Sequence, residues 1–204
     1  LMTPLIAYKA LAGQTIDNST FGDFIIPMGL AYYTLRCMHY ALEKYQGLLP
    51  AHNFAALLQY LFFLPTFIAG PIHRFPAFEN DRARQRWDKH MFGEGLQRIL
   101  YGYVKISFIA NFLVGFQFET FIMGLETPYP ALAAYLTMLQ MGMMIYFQFS
   151  GWSDVAIGFS RLLGFRVMEN FNFPFLAANI SDFWSRWHMS LTNWCRDYIF
   201  MTTV

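Results

Sequence analysis

The sequence predicts an all-α protein whose helices cross a membrane and pack as a polytopic bundle. Three observations predict this fold class: 56% of the 204 residues are hydrophobic, only 13% are charged, and several stretches of bilayer-spanning length lack charge. A soluble domain carries about 25% charged residues, and strand-like alternation is weak throughout. The net charge of +1 excludes a polycationic nucleic-acid binder and an acidic interaction tail.

Two windows without Asp, Glu, Lys or Arg give the clearest predicted spans. Residues 54–72 are numerous enough to cross a bilayer core as a helix, and the window 127–153 is the stronger of the two. We therefore predict one membrane helix in each. Residues 1–12 are interpreted as the end of a further helix.

Two weaker windows contain ionisable residues. Residues 24–42 include Arg36 and His39, and residues 99–118 include Lys105. An ionisable group in mid-span costs roughly 2.5–3.5 kcal/mol on insertion scales. We therefore expect both helices to turn these side chains towards protein or water.

A basic segment, residues 73–98, holds six of the 14 Lys and Arg residues. By the positive-inside rule this segment is predicted to be a cytoplasmic loop. We interpret it as a topology signal with some contact to anionic lipid, in preference to a substrate site. The organisation predicted is one membrane domain over residues 1–204, truncated relative to a complete domain.

The last predicted helix covers residues 181–198, with Ser181 or Asp182 as its N-cap. At 100° per residue, one arc of this helix is apolar and aromatic except for a single histidine, His188. The arc consists of Phe183, Trp184, Trp187, His188, Leu191, Trp194, Cys195 and Tyr198. The opposite arc is polar, and its spacings allow surface pairs between Asp182 and Arg186 and between Ser190 and Asn193.

His188 is the candidate catalytic residue. A lone histidine on an apolar face is often a hydrogen-bonded core residue, but an imidazole is also the usual group for taking a proton from a hydroxyl near neutral pH. A serine triad is poorly supported because no Gly-x-Ser-x-Gly elbow exists. No metal site is predicted, since the histidines show no paired spacing, and Cys37 and Cys195 are interpreted as unpaired small hydrophobes.

Four ordered segments resemble the membrane-bound O-acyltransferase family. They run from Pro27 to Leu35, from Pro65 to Phe75, from Phe147 to Gly158 and from Asp182 to Leu191, the last containing Arg-Trp-His. The resemblance covers roughly residues 24 to 200. It is greatest to the bacterial branch that O-acetylates alginate or transfers D-alanine to teichoic acid.

The resemblance implies a multi-helix enzyme of the bacterial cytoplasmic membrane, folded around a tunnel. Such an enzyme takes an acyl group from a cytoplasmic thioester donor, of the carrier-protein or coenzyme A type, and delivers it to a hydroxyl of an envelope molecule. It implies no tightly bound cofactor, and it implies partners in the form of a cytoplasmic acyl donor and a periplasmic or extracellular transferase. His188 matches a tunnel histidine, and the family's usual base is a second histidine on a later helix. No histidine follows His188 in this sequence, so the chain is predicted to be an inactive fragment by itself.

Further residues are candidates for lining the tunnel: Trp184, Arg186, Trp187, Asn193, Trp194 and Asp154. The tryptophans would exclude water. Arg186 and Arg196 would meet phosphate or carboxylate, or would form ion pairs with Asp182 or Asp197, which is preferred. Asp154 is interpreted as a helix cap or as part of the tunnel mouth.

Several alternatives stay open at the level of the sequence. Asn170 and Asn172 are interpreted as turn formers rather than substrate ligands. The run beginning at Asp197 resembles the D-alanyl branch and the run beginning at Met168 the alginate branch, so the acceptor is undetermined. A transporter or channel would use Arg36, Lys105 and Asp154 as pathway charges, and a non-catalytic membrane fragment is the third interpretation.

Overall fold

The part of the chain that the computed structural model describes is helical, without a β-strand, as predicted. It comprises residues 21–67, 69–84 and 88–201, with side chains from Leu30 onward; residues 1–12, interpreted above as the end of a helix, lie outside it. The α-helices are α1 (Phe21–Tyr45), α2 (Phe54–Leu61), α3 (Phe75–Arg84), α4 (Lys89–Tyr103), α5 (Glu119–Leu125), α6 (Pro130–Leu162), α7 (Ile180–Arg186) and α8 (Met189–Cys195). Short 3-10 turns lie at Leu64–Thr66 and Pro174–Leu176, and π-helical segments at Val104–Phe118 and Arg196–Phe200.

A long antiparallel hairpin dominates the fold. Helix α4, the π-helical segment and α5 form one continuous helix of 37 residues, Lys89–Leu125, and α6 has 33 residues. Both are long and apolar enough to cross a bilayer core. The predicted window 99–118 falls within the first, and all but the first three residues of the window 127–153 fall within the second. Large apolar side chains point outward along α6, among them Tyr135, Met138, Met141 and Ile145.

Helix α6 begins and ends where its sequence directs. Pro130 occupies the first turn, where its missing N–H costs nothing. At the other end Gly164 adopts a left-handed conformation with φ of 84°. The N–H of Phe165 donates to the carbonyl of Ser160 at 2.9 Å, and that of Gly164 to Arg161 at 3.0 Å. This pair of bonds is a Schellman motif, which satisfies the last helical carbonyls.

Glycines bring the two long helices into backbone contact. A Cβ built on Gly102 would lie 2.7 Å from the carbonyl oxygen of Gly151, and one built on Gly95 would lie 2.9 Å from that of Gly158. Likewise, a Cβ built on Gly151 would lie close to the carbonyl oxygen of Gly102, and one built on Gly158 close to that of Gly95. Small residues at such crossings allow the close packing that stabilises helix pairs in membranes.

Gly102→Ala is therefore expected to lower the free energy of unfolding by about 1–3 kcal/mol, because the new methyl group overpacks the crossing. The matched control is Gly142→Ala on α6, where a Cβ meets nothing within 4 Å. That change should be neutral or slightly stabilising, since alanine is the better helix former. The measurement is the thermal unfolding midpoint of the complete protein in detergent. Equal midpoints for the two variants would contradict this packing.

The predicted span over residues 54–72 is wrong. Helix α2 has eight residues and ends at Leu61, well short of a bilayer core, and Pro65 then starts a 3-10 turn. Proline cannot donate to the helical ladder, so the helix does not continue through Pro65. Arg36 on α1 binds the end of α2 and the irregular backbone that follows, because its guanidinium donates to the carbonyls of Tyr60 at 3.2 Å and Thr66 at 2.7 Å.

The same contacts explain the position of Arg36. Its side chain is almost fully buried in protein, and it also packs over the ring of Tyr60 at 5.7 Å. The expectation that the helix carrying Arg36 turns this residue towards protein is confirmed. Residues 24–42 lie within α1 and are helical as predicted, but among the described residues α1 is not one of the two helices that are long and apolar enough to cross a membrane. The basic segment 73–98 consists largely of α3 and the start of α4.

Candidate functional site

The single helix predicted over residues 181–198 is broken at the candidate histidine. Helix α7 ends at Arg186, Trp187 is extended, and His188 has left-handed backbone angles with φ of 43° before α8 starts at Met189. The carbonyl of His188 accepts the first bonds of α8, from Leu191 at 3.0 Å. His188 is thus the N-cap residue of a new helix.

Backbone groups exposed by this break are satisfied by a loop that follows α6. The N–H of Met189 donates to the carbonyl of Asn170 at 2.9 Å, and the N–H of Asn172 donates to the carbonyl of Arg186 at 2.9 Å. These long-range bonds replace the helical bonds that the left-handed residue prevents. They keep His188 in a defined orientation.

Asn170 also ties the break to the membrane helix α6. Its side chain is 1% exposed. The amide oxygen accepts from the hydroxyl of Ser190 at 2.7 Å, and the amide nitrogen donates to the hydroxyl of Ser153 at 3.2 Å. Asn170 is therefore a buried bridge between α6 and α8, a larger role than the predicted turn former.

Asn170→Ala is expected to reduce the free energy of unfolding by about 1–3 kcal/mol, because it leaves the hydroxyls of Ser153 and Ser190 buried without their partner. Asn172→Ala is the matched control, since Asn172 is exposed and its bond to α7 uses the backbone N–H. Thermal unfolding of the complete protein distinguishes the two. A shift of the same size in both variants would be evidence against the bridge.

The imidazole of His188 lies among aromatic rings, and one of its nitrogens is buried without a hydrogen-bond partner in the described part of the chain. Its ring meets Phe149 edge to face at a centroid distance of 4.8 Å. Its Nε2 atom is buried and has no hydrogen-bond partner among the described residues. A buried polar atom left unpaired costs roughly 1–3 kcal/mol, so such an atom calls for an explanation, and a bound ligand is one.

A cavity of about 520 Å³ lies between α4, α6 and the loop after α6, and it reaches the residue that follows His188 but not His188 itself. Met189, which follows His188, lies in its wall, as does Asn170. The complete lining is Arg98, Tyr101, Lys105, Tyr146, Ser150, Ser153, Asp154, Ile157, Glu169, Asn170, Phe171, Asn172, Phe173 and Met189. Hydroxyl, amide and charged groups thus share the wall with aromatic rings.

Asp154 organises the charged side of the cavity. Its carboxylate accepts from Arg98 Nε at 2.7 Å and from Lys105 Nζ at 2.5 Å, and only 6% of its side chain is exposed. Arg98 also pairs with Glu169, and Arg161 reaches Glu169 at 3.8 Å. The interpretation of Asp154 as a helix cap is wrong, because it lies inside α6. Lys105 faces protein, as predicted.

The three candidate tryptophans lie in different environments. Trp187 belongs to an aromatic cluster near His188, with its ring 5.2 Å from Phe171 and stacked on Phe183 at 5.5 Å. Trp194 is buried beside Tyr198. Trp184 is 52% exposed. The predicted arc is thus divided by the helix break, and Trp187 is the candidate nearest the histidine's aromatic surroundings.

Arg186 and Arg196 form the predicted ion pairs with Asp182 and Asp197. Arg186 Nε donates to Asp182 at 2.7 Å, and Arg196 Nε donates to Asp197 at 2.8 Å. The hydrogen bond from Arg186 and a second from the backbone of Ala178 hold the pKa of Asp182 below its usual range. The predicted N-cap, Ser181 or Asp182, is wrong. Asn179 caps α7, and its side chain accepts from the N–H of Asp182 at 2.9 Å.

A buried polar chain away from the cavity was missed at the level of sequence. His39 Nε2 accepts from the backbone of Phe75 at 2.9 Å, and its Nδ1 lies 2.6 Å from the hydroxyl of Tyr198. Tyr198 in turn donates to Glu43 at 2.5 Å. The one sequence signal is that His39 and Glu43 are one helical turn apart. This chain ties α1 to the segment that follows α8.

Among the residues that the structure describes, no group of three or more His, Cys, Asp or Glu side chains is arranged to bind a metal ion. Cys37 and Cys195 are free thiols, as expected.

Comparison with known proteins agrees with the resemblance in the sequence. The model of the membrane-bound O-acyltransferase family matches residues 30–204. The chain is 37% identical over 179 residues to "Probable alginate O-acetylase AlgI" of Pseudomonas aeruginosa, covering 87% of this chain and 34% of that protein.

Two further relatives act on other polymers according to their names. Identity is 37% over 188 residues to the teichoic acid D-alanyltransferase of Bacillus subtilis, covering 87% of this chain and 45% of that protein. It is 28% over 206 residues to the peptidoglycan O-acetyltransferase of Helicobacter pylori, covering 87% and 38%. The chain thus spans less than half the length of these relatives, and it belongs to the membrane-bound O-acyltransferase family.

Proposed function

We propose that the complete protein is a bacterial membrane O-acyltransferase that moves an acetyl or D-alanyl group from a thioester donor to a hydroxyl of an envelope polymer. Family membership supports the reaction class. The single structural observation behind the proposal is the buried, unpartnered Nε2 atom of His188, whose neighbour in the chain, Met189, lines a cavity with a polar wall.

The proposed step uses that nitrogen to hold the acceptor. The acceptor oxygen bonds to the thioester carbonyl carbon, the carbon–sulfur bond breaks, and the hydroxyl proton ends on the departing thiol. His188 accepts the hydrogen bond of the hydroxyl, which orients it and assists removal of its proton. The aromatic surroundings, with Phe149 and Trp187, exclude the water that would otherwise hydrolyse the donor.

The proposed substrates follow from the relatives' names. These name alginate, teichoic acid and peptidoglycan as polymers acted upon, so a cell-envelope polymer is the proposed acceptor class. The donor is proposed to be an acyl carrier protein or an acyl-coenzyme A, reaching the enzyme from the cytoplasm. A periplasmic or extracellular transferase would then be a partner, and the cytoplasmic membrane the location.

A transporter is the competing interpretation, and the ion pairs argue against it. Arg36, Lys105 and Asp154 would be its pathway charges, yet each is held by internal partners. Charges that carry a substrate must be able to exchange partners, whereas these form compact pairs within the fold.

The test is reconstitution of the complete protein in vesicles with donors labelled in the acyl group, acetyl-coenzyme A in one arm and a D-alanyl carrier protein in the other. Label in an alkali-labile ester on a hydroxyl acceptor, formed with one donor, is the expected result. Label that crosses the bilayer without forming an ester would instead identify a transporter. Absence of both would leave only a non-catalytic membrane protein.

A further inference from the structure

A second cavity, of about 430 Å³, shares no lining residue with the cavity that Asp154 and Asn170 line. Three separate pieces of chain form it: the residues at the start of α3, the residues that follow α6, and the end of α8 with the turn after it. Its charged and ionisable lining residues are His73, Arg74, Arg166, Arg196 and Asp197.

The charge of this cavity is positive. Arg74, Arg166 and Arg196 contribute one cation from each of the three pieces of chain, against the single carboxylate of Asp197. Asp197 bonds to both Arg74 and Arg196, so it fixes two guanidinium groups while cancelling one charge. The lining residues therefore carry a net charge of +2, and the carboxylate of Asp81 lies next to Arg166 at the edge of the cavity.

Arg166 is the cation that this carboxylate does not hold. Its side chain is exposed. Its backbone N–H donates to Asp81 of α3 at 2.8 Å, which anchors the residue at the cavity edge. Among the described residues its guanidinium forms no ion pair. An anion is the natural partner for such a group.

A buried imidazole completes the lining. His73 is 3% exposed, and its Nε2 atom has no hydrogen-bond partner within the described residues. The hydroxyl of Tyr60 donates to its carbonyl at 2.8 Å and holds the residue in place. Burial lowers the pKa of His73 to about 3, so the ring is neutral near pH 7 and adds no charge to the cavity. A neutral imidazole donates an N–H at Nε2 in one of its two tautomers. A buried ring nitrogen without a partner indicates that something else meets it.

We propose that this cavity binds a phosphate group, either of a lipid headgroup or of a soluble phosphate ester. A carboxylate is satisfied by one arginine in one plane, whereas a tetrahedral phosphate presents oxygens in several directions. Three arginines from three pieces of chain, with an imidazole beside them, fit the second geometry. The inference does not depend on the acyl transfer proposed above.

The experiment measures binding of inorganic phosphate to the complete protein in detergent by calorimetry, at constant ionic strength. Arg166→Ala and Arg196→Ala should each weaken binding about tenfold, the effect of losing one charge-assisted hydrogen bond. The matched control is Arg84→Ala, an exposed arginine at the end of α3 that lies outside this lining. It should change binding less than about twofold, as expected when only a distant surface charge is lost.

A second arm identifies the source of the phosphate. The protein is placed in nanodiscs of phosphatidylcholine with or without phosphatidylglycerol, and phosphate binding is measured again. Both lipids carry a phosphate, so phosphate binding that is weaker in the discs than in detergent, and weakest with phosphatidylglycerol, would identify a lipid headgroup. Equal binding in detergent and in both discs would identify a soluble ester. Unchanged phosphate binding in both cavity variants, or an equal loss in Arg84→Ala, would overturn the proposal.

Discussion

His188→Asn is expected to reduce the rate of ester formation by the complete protein by about 100-fold or more, the range for loss of a group that assists proton transfer. Asparagine is chosen because it tolerates the left-handed backbone at this position, with φ of 43°, better than alanine does. The variant therefore removes the imidazole and its open Nε2 atom while preserving the break between α7 and α8.

The matched control is His90→Asn, the same substitution at an exposed histidine on α4. It should leave both the rate and the thermal midpoint unchanged. The measurement pairs the initial rate of acyl transfer with the unfolding midpoint of each variant. A His188→Asn protein with the wild-type rate would show that the imidazole is only a packing residue.

Asp154→Asn is expected to destabilise the complete protein by about 3–5 kcal/mol, the usual cost of removing one partner from a buried ion pair. The amide has almost the same volume as the carboxylate, so packing is kept while Arg98 and Lys105 lose their shared counter-charge. Both cations belong to a helix long and apolar enough to cross a bilayer, where an unpaired charge is costly.

Two further variants test whether the loss of stability in Asp154→Asn comes from the unpaired cations. Glu94→Gln removes a more exposed carboxylate that reaches Arg161 at 3.4 Å, and should cost less than about 1 kcal/mol. Combining Asp154→Asn with Lys105→Met should recover part of the lost stability, because one unpaired cation is removed. Unfolding midpoints of the four proteins decide the matter. If Asp154→Asn and Glu94→Gln were equally stable, Asp154 would not be the organising charge of this hairpin.

The sequence predicted the long helices because their signal is local. Residues 99–118 and 127–153 are continuous apolar stretches, and the hydrogen bonds of a helix join residues only a few positions apart. The same reasoning failed for residues 54–72, where composition resembles a span. There the helix ends at Leu61, and the backbone that follows is held by Arg36, which donates to the carbonyl of Thr66 from 30 residues earlier in the chain.

For the site, the sequence selected His188 and its aromatic company but not its geometry. The break in the helix is stabilised by Asn170, which lies on a different segment, and the ring contact is with Phe149 on α6. Helical periodicity within one segment carries no information about partners on other segments. It therefore placed Trp184 and Trp194 on the same face as His188, whereas the break sends them to different surroundings.

What the sequence by itself determined is the solvent and the family. A chain with 56% hydrophobic and 13% charged residues forms helices suited to lipid, and its ordered motifs carry the family resemblance. Only the tertiary structure decided that Asp154 pairs with Arg98 and Lys105, that glycines join the two long helices, and that the Nε2 atom of His188 is buried without a hydrogen-bond partner among the described residues. The physical reason is range, because composition and helical hydrogen bonding act between near neighbours, whereas ion pairs, close crossings and cavities depend on residues that are distant in the chain.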